Sequence, residues 1–243
     1  MNKKDLIKKI LELSYTKKEG HIGSSLSILD ILIVLYKNKI DKNKFVLSKG
    51  HASLGLYVVL DYFNMLDCDL NTFCEFNSLI GGHPNSKLKN VEASTGSLGH
   101  GLPIGVGMAL ASKIQRTDQT VYVLIGDGES NEGSVWEAAL IASHHKLNNL
   151  VCIMDHNHSG DRALSIGDVV KKFESFGWHC LSVDGHNHEE LLNAFNTVSE
   201  KPLFILANTI KGHGIKEMEN NPEWHHKSPT LEQYKKFVLE LNQ

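Results

Sequence analysis

The chain has 243 residues, of which 41% are hydrophobic and 22% charged, with a formal net charge of −3. Those proportions exclude disorder by composition and allow a full core. The near-neutral balance offers no field for nucleic acid, and no apolar run reaches the ~18 residues that a membrane span needs. Histidine is the oddity, with 14 against 9 Phe, 6 Tyr and 3 Trp.

In the N-terminal segment, Leu6, Ile7, Ile10, Leu11 and Leu13 recur at helical spacing, interrupted by Lys8, Lys9 and Glu12. That pattern reads as an amphipathic helix and not as a signal peptide. Ser27-Ile-Leu-Asp30 has the form of a capping box opening a helix that runs to about Lys37. Phe45–Leu47 reads as a short strand, and an apolar helix follows to about Tyr62. A loop-rich stretch from about Asn77 to Gly101 precedes a small-residue helix from Pro103 to about Gln115. In that helix, Gly105, Gly107, Ala109 and Ala111 permit close packing.

From there strands and helices alternate: strand Thr120–Ile125, helix Glu132–Lys146, strand Leu150–Asp155, helix Val169–Phe176, strand His179–Asp184, helix Glu189–Ser199, strand Leu203–Asn208 and helix Leu231–Leu241. The strands are nearly continuous apolar runs. The pattern predicts one α/β domain over residues 1–243, a mostly parallel sheet with helices on both faces. The Cys residues at 68, 74, 152 and 180 form no C-x-x-C pair, and Cys152 lies within an apolar strand, so a core thiol and a cytoplasmic location are expected.

Ligands of open parallel sheets bind beyond the carboxyl ends of the strands. Two such ends carry oxygen donors, Asp127 after one strand and Asn157 after the next, with 28 residues between Gly128 and Asn157. That interval is one β-α-β crossover, which sets both side chains over one crevice. A carboxylate and an amide oxygen, with few other protein ligands, suit Mg2+, which shares its shell with phosphates and water. The glycines of Gly126-Asp-Gly128 let backbone N–H groups approach a diphosphate. Taken alone, the same tripeptide also reads as a tight turn.

The stretch from Gly126 through Glu137 to Asn157 resembles the thiamine-diphosphate binding motif, and Glu132-Gly133 matches the acidic residue that transketolases keep after its opening. Gly20-His-Ile-Gly23, Ser48-Lys-Gly-His-Ala52 and Gly82-His-Pro84 resemble the histidine loops of that family. Thr95-Gly-Ser-Leu-Gly-His-Gly101 resembles its cofactor-contact loop, and Glu223-Trp-His225-His-Lys-Ser-Pro229 its last active-site histidine segment. The resemblance covers nearly the whole chain in the right order, but only the diphosphate-binding half of a full-length transketolase. The match is to the N-terminal subunit of a split, two-subunit transketolase.

The resemblance implies thiamine diphosphate and Mg2+ as cofactors, and sugar or sugar-phosphate substrates. Its partner would be a C-terminal subunit carrying the pyrimidine-binding half, in an α2β2 assembly. Asp127, Asn157 and the Ser159 carbonyl would hold Mg2+. Gly96, Leu98, His100, Gly126, Gly128 and Glu129 would contact the cofactor, with His51 and His225 also near it. His51 and His83 would bind the donor's hydroxyls and carbonyl, His21 and His225 the acceptor's aldehyde oxygen, and Glu132 would join a carboxylate network between subunits. His226 competes with its neighbour, and His225 is favoured. Imidazole suits hydroxyl and aldehyde oxygens that exchange protons near neutrality.

Several other readings stay open. His144, His145, His179, His186 and His188 have bland structural readings, and at His213 backbone shape outweighs the imidazole. The pairs His156-x-His158 and His186-x-His188 fit a zinc or nickel site that lacks a third ligand. The alternatives are a 2-oxo acid dehydrogenase alpha chain, a deoxyxylulose-phosphate synthase-like fragment and a non-catalytic thiamine-diphosphate-binding subunit. After Asn157, the run His158-Ser-Gly-Asp-Arg162 departs from the family pattern. It brings Asp161 and Arg162 near the site and points to a specialised sugar, such as one of a surface-glycan pathway.

Overall fold

The computed structural model describes residues 2–242. Five strands form one all-parallel sheet in the order β1-β2-β3-β5-β4: β1 Lys44–Leu47, β2 Val121–Gly126, β3 Leu150–His156, β4 His179–Asp184 and β5 Leu203–Asn208. Side chains alternate across a strand, and the two faces of this sheet accordingly feed two cores. Tyr122, Leu124, Val151, Ile153, Leu203 and Ile205 point into one. Val121, Val123, Ile125, Cys152, Met154 and Phe204 point into the other. Both faces are apolar because both are covered.

The first face carries α1 Lys3–Lys17, α2 Ile22–Ser27, α3 Leu29–Asn38, α4 Ser53–Tyr62, α8 His188–Phe195 and α9 Leu231–Leu241. The second carries α5 Gly101–Gln115, α6 Gly133–His144 and α7 Val169–Ser175. The expected helix–strand alternation is thus present, with boundaries moved by a few residues. Among the described residues, no helix is long and apolar enough to cross a membrane. Cys152 is fully buried, and burial pushes its thiol well above the usual range.

The capping box expected at Ser27 is absent. Ser27 ends α2, and α3 starts at Leu29 behind Ile28, which has no side-chain cap. The Ser27 hydroxyl instead donates to the Asp155 carboxylate at 2.6 Å. Asp30 turns to Lys3, His186 and His188 at 2.5–2.8 Å. Buried partners for buried polar groups outweigh a local cap.

The small-residue face of α5 has the close approach read from the sequence. A Cβ on Gly105 would lie 2.3 Å from the Val123 methyl of β2, whereas a Cβ on Gly107 would meet nothing within 4 Å. Two substitutions in one helix therefore have opposite signs. In urea denaturation, Gly105→Val should destabilise by about 2–3 kcal/mol through overpacking. Gly107→Ala should stabilise by about 0.5–1 kcal/mol through helix propensity. Equal effects at the two positions would contradict this packing.

Candidate active site at the carboxyl ends of the strands

A parallel sheet puts the carboxyl ends of all its strands on one edge, and the polar residues of this chain collect there. Lys49 follows β1, Asp155 lies at the end of β3, and Thr209 follows β5. The Lys49 ammonium pairs with the Asp155 carboxylate, and both side chains are at most 2% exposed. Asp155 also accepts from Ser27 Oγ at 2.6 Å, Thr209 Oγ1 at 2.5 Å and Asn157 Nδ2 at 2.9 Å. Burial alone would raise this carboxyl, but the ammonium and the donors outweigh it and hold it below its usual range.

That network sets the Asn157 amide. Its Nδ2 donates to Asp155 and, at 3.1 Å, to Ser27 Oγ. Its Oδ1 faces the other way and accepts from Ser159 N at 3.1 Å and Ser159 Oγ at 2.5 Å. Asp127 stands on the neighbouring strand end. Its Oδ1 accepts from Gly128 N at 2.7 Å, while its Oδ2 is buried with no hydrogen-bond partner among the described residues. A buried, unpartnered carboxylate oxygen is costly unless a cation meets it. Together with the fixed amide oxygen of Asn157, it fits an oxygen-loving divalent cation such as Mg2+.

The loop after Asn157 lies on the Gly126-Asp-Gly128 turn. A Cβ on Gly160 would come within 2.6 Å of Gly128 Cα and N, so only glycine permits the contact. Glu129 closes the other side. Its carboxylate, 2% exposed, accepts from Gly99 N at 2.8 Å, Gly126 N at 3.1 Å and the Ser48 hydroxyl. It ties the 95–101 loop to the ends of β1 and β2. Burial pushes the Glu129 carboxyl up, against the pull of those donors and of Lys49.

Above this floor stand the histidines. His21, His51, His83 and His225 line one cavity of about 290 Å3, together with Asp127, Asn157 and Lys211. The His21 ring lies 5.1 Å from that of His51 and 5.7 Å from that of His225. A Cβ on Gly50 would meet Thr95 C at 2.8 Å, so that glycine lets the His51 loop abut the 95–101 loop. Trp224, 1% exposed and packed on Phe237 of α9, anchors the segment that carries His225. His226 is 61% exposed and pairs with Glu19 at 3.3 Å, so His225 is the cavity residue of the two.

Burial lowers His51 to about 2, with Lys49 adding to it, and lowers His21 to about 4, helped by His226 and His225. Burial and the nearby Lys211 also lower His225. Lys211 Nζ lies 2.6 Å from His225 Nδ1. An ammonium there donates, so Nδ1 accepts and the proton of a neutral His225 sits on Nε2. These imidazoles are neutral at pH 7 and present both donors and acceptors to a ligand.

The structure gathers most of the sequence-predicted site residues. Gly96, Leu98, Gly126, Gly128, Glu129 and Ser159 line the same cavity. Two do not join it. His100 is exposed, its Nδ1 3.0 Å from Leu98 O, and Glu132 is an exposed residue preceding α6 with its side chain against Gly99. Sequence reasoning missed Lys49, Asp155, Thr209 and Lys211. For Lys49, Asp155 and Lys211 the available signal was a charge inside or just beyond an apolar strand, which demands a buried partner; Thr209 offered none.

His186 and His188 grip the buried Asp30. His213 stacks on His186 with 3.6 Å between centroids. His186 Nδ1 faces Asp30 and its Nε2 accepts from Ile210 N at 2.9 Å, which leaves that ring no lone pair for zinc or nickel.

Residues 7–235 match the family model described as transketolase, thiamine diphosphate binding domain. The chain belongs to the transketolase family. It is 38% identical to an apulose-4-phosphate transketolase subunit of Phocaeicola vulgatus, over 97% of this chain and 91% of that one. It is 35% identical to a 6-deoxy-6-sulfo-D-fructose transketolase subunit of Clostridium sp., over 91% and 88%. Human transketolase is also 38% identical, but the chain spans only 38% of its length. The crystal structure of Campylobacter jejuni transketolase superposes with a TM-score of 0.90 at 30% identity, covering 100% of this chain and 43% of that one. In extent, this transketolase chain therefore corresponds to one subunit of a split transketolase.

The depressed histidines give a direct test. In an NMR titration from pH 8 to 5, the His21 and His51 ring signals should not shift. A midpoint near 6.5 for either His21 or His51 would contradict the buried, neutral cluster.

Proposed function

We propose that this chain is the cofactor-binding subunit of a two-subunit transketolase, moving a two-carbon ketol unit from a ketose to an aldose. One observation carries the reading: the unpartnered Asp127 oxygen and the fixed Asn157 amide lie beneath four histidines in a single cavity. Mg2+ would bind Asp127, Asn157 and the Ser159 carbonyl. Gly96, Leu98, Gly126, Gly128 and Glu129 would shape the bed of the thiamine diphosphate, with His100 near its rim. Thiamine diphosphate, when bound, supplies the electron sink for cleavage beside the donor carbonyl.

The chain's own residues bind and move protons. His51 and His83 hold the donor's hydroxyl and carbonyl oxygens, and His21 and His225 serve the acceptor's aldehyde oxygen. At His21, His51 and His225, a neutral ring suits this work because each nitrogen either gives or takes a proton without first shedding a charge. Lys211 fixes the tautomer of His225, so Nε2–H is the end turned to substrate. Glu132 is exposed beside Gly99 and would meet a second subunit.

A partner carrying the pyrimidine-binding half completes the site, in an α2β2 assembly in the cytoplasm. The relatives named for apulose 4-phosphate and for 6-deoxy-6-sulfo-D-fructose support a substrate outside the common pentose phosphates. The comparable identity to human transketolase leaves central-metabolism sugars as the second reading.

Mixed with its partner, thiamine diphosphate and Mg2+, the chain should transfer ketol groups from a ketose phosphate to an aldose phosphate, and neither chain should do so alone. His83→Ala should cost about 10²–10⁴-fold in kcat/KM. Full activity from the isolated chain, or no loss in His83→Ala, would contradict the reading. Turnover of pyruvate in place of ketoses would favour the dehydrogenase-type alternatives.

A further inference from the structure

Among the described residues, three groups of histidine and carboxylate side chains bring their ligand atoms within 4.8 Å of one another. Asp30, His186 and His213 form one, but both nitrogens of His186 are engaged, with Asp30 and with Ile210 N. Glu19, His21 and His226 form another, and its His21 belongs to the cavity already described. The third is His156, His158 and Asp161. It gives the His-x-His pair at the end of β3 the third ligand that the sequence did not place.

The turn that makes this group is built. β3 ends at His156, and His158 takes a left-handed φ of 62°. A side chain persists in that region where its surroundings over-determine the backbone. Gly160, pressed on the Gly128 backbone, fixes the next step and opens the 3₁₀ turn Gly160–Arg162 that carries Asp161. The His156 and His158 ring centroids lie 4.2 Å apart, and His158 Nδ1 lies 2.9 Å from Asp161 Oδ2.

The nitrogen that His156 offers is set by Asn208. Asn208 Nδ2 donates to Ser182 Oγ at 3.0 Å and to Val183 O at 3.1 Å, so Oδ1 is the end that faces His156. His156 Nδ1, 3.3 Å from that oxygen, therefore carries the ring proton, and Nε2 keeps its lone pair. A hydrogen bond from the far ring nitrogen to an oxygen acceptor is how proteins orient metal-binding imidazoles. Ligand atoms around one zinc ion lie about 3–4 Å apart. His158 and Asp161 are 64% and 42% exposed, so their side chains rotate over the remaining distance without disturbing the core.

We propose that His156, His158 and Asp161 form a metal site, separate from the Asp127–Asn157 pair, that takes a late first-row divalent cation such as Zn2+. Two imidazoles and a carboxylate, with a fourth position open to water, suit that ion. They do not suit Mg2+, which takes oxygen ligands. The cation ties the end of β3 to the 3₁₀ turn and so pins the segment that carries Ser159. The site is independent of the transketolase reading.

Calorimetric titration of Zn2+ into the full chain, with Mg2+ in excess throughout, tests the site. Wild type should bind Zn2+, and His158→Ala and Asp161→Asn should each lose one equivalent of it while circular dichroism verifies the fold. His226→Ala, in the Glu19–His21 group, and a double His144→Ala, His145→Ala variant should both retain that equivalent. With Co2+ as the probe, wild type should show the visible absorption of a nitrogen-ligated cobalt site, and His158→Ala should not. Zn2+ binding that is unchanged in folded His158→Ala and Asp161→Asn chains overturns the proposal. So does binding lost only in His226→Ala, displacement of the Zn2+ by Mg2+, or a wild-type chain that binds no Zn2+.

Discussion

The buried ion pair between Lys49 and Asp155 organises the site. Each charge is out of water, where an isolated carboxylate or ammonium is far too costly to keep. Removing one partner from such a pair typically costs about 3–5 kcal/mol, because the other is left uncompensated. Here the pair spans separate strand ends and draws in Ser27, Thr209 and Asn157. Its consequence is orientation more than stability. With the Nδ2 side of Asn157 committed to Asp155 and Ser27, the amide oxygen has a single direction left.

Around that pair the sheet does the assembling. Four sequence-distant segments, at residues 48–51, 126–129, 155–159 and 209–211, meet because parallel strands end on one edge. The electrostatics then divide into layers. Carboxylates and amides lie on the floor, where a divalent cation would sit. Imidazoles stand above it, with His51 and His225 kept neutral by burial and by Lys49 and Lys211. The cations do two jobs. They compensate the floor, and they add to burial in disfavouring the charged forms of His51 and His225.

Much of this was legible in the sequence. Apolar runs bounded by Gly126-Asp-Gly128 and by Asn157 gave strands β2 and β3, and strand–helix alternation gave the parallel sheet. The histidine loops were visible because short Gly-His combinations are local patterns. Three features were hidden because they depend on contacts distant in sequence. Ser27 looked like a helix cap, but its hydroxyl serves Asp155, 128 residues away. Lys211 lies beyond its strand with no local pattern to mark it, yet it lines the cavity beside Lys49. His186 and His188 looked incidental, yet they compensate the buried Asp30 and join α3 to the start of α8 and the turn before it. The choice between His225 and His226 likewise needed burial, which adjacent identical residues do not reveal in sequence.

The central claim is that Asp155 acts on the proposed Mg2+ site through the Asn157 amide. The most direct measurement is the Mg2+ affinity of Asp155→Asn at saturating thiamine diphosphate, compared with wild type while circular dichroism verifies the fold. Groups that orient metal ligands typically contribute about 10–100-fold to metal affinity. The account predicts a loss in that range with the chain still folded. A folded Asp155→Asn chain that binds Mg2+ as tightly as wild type would contradict it.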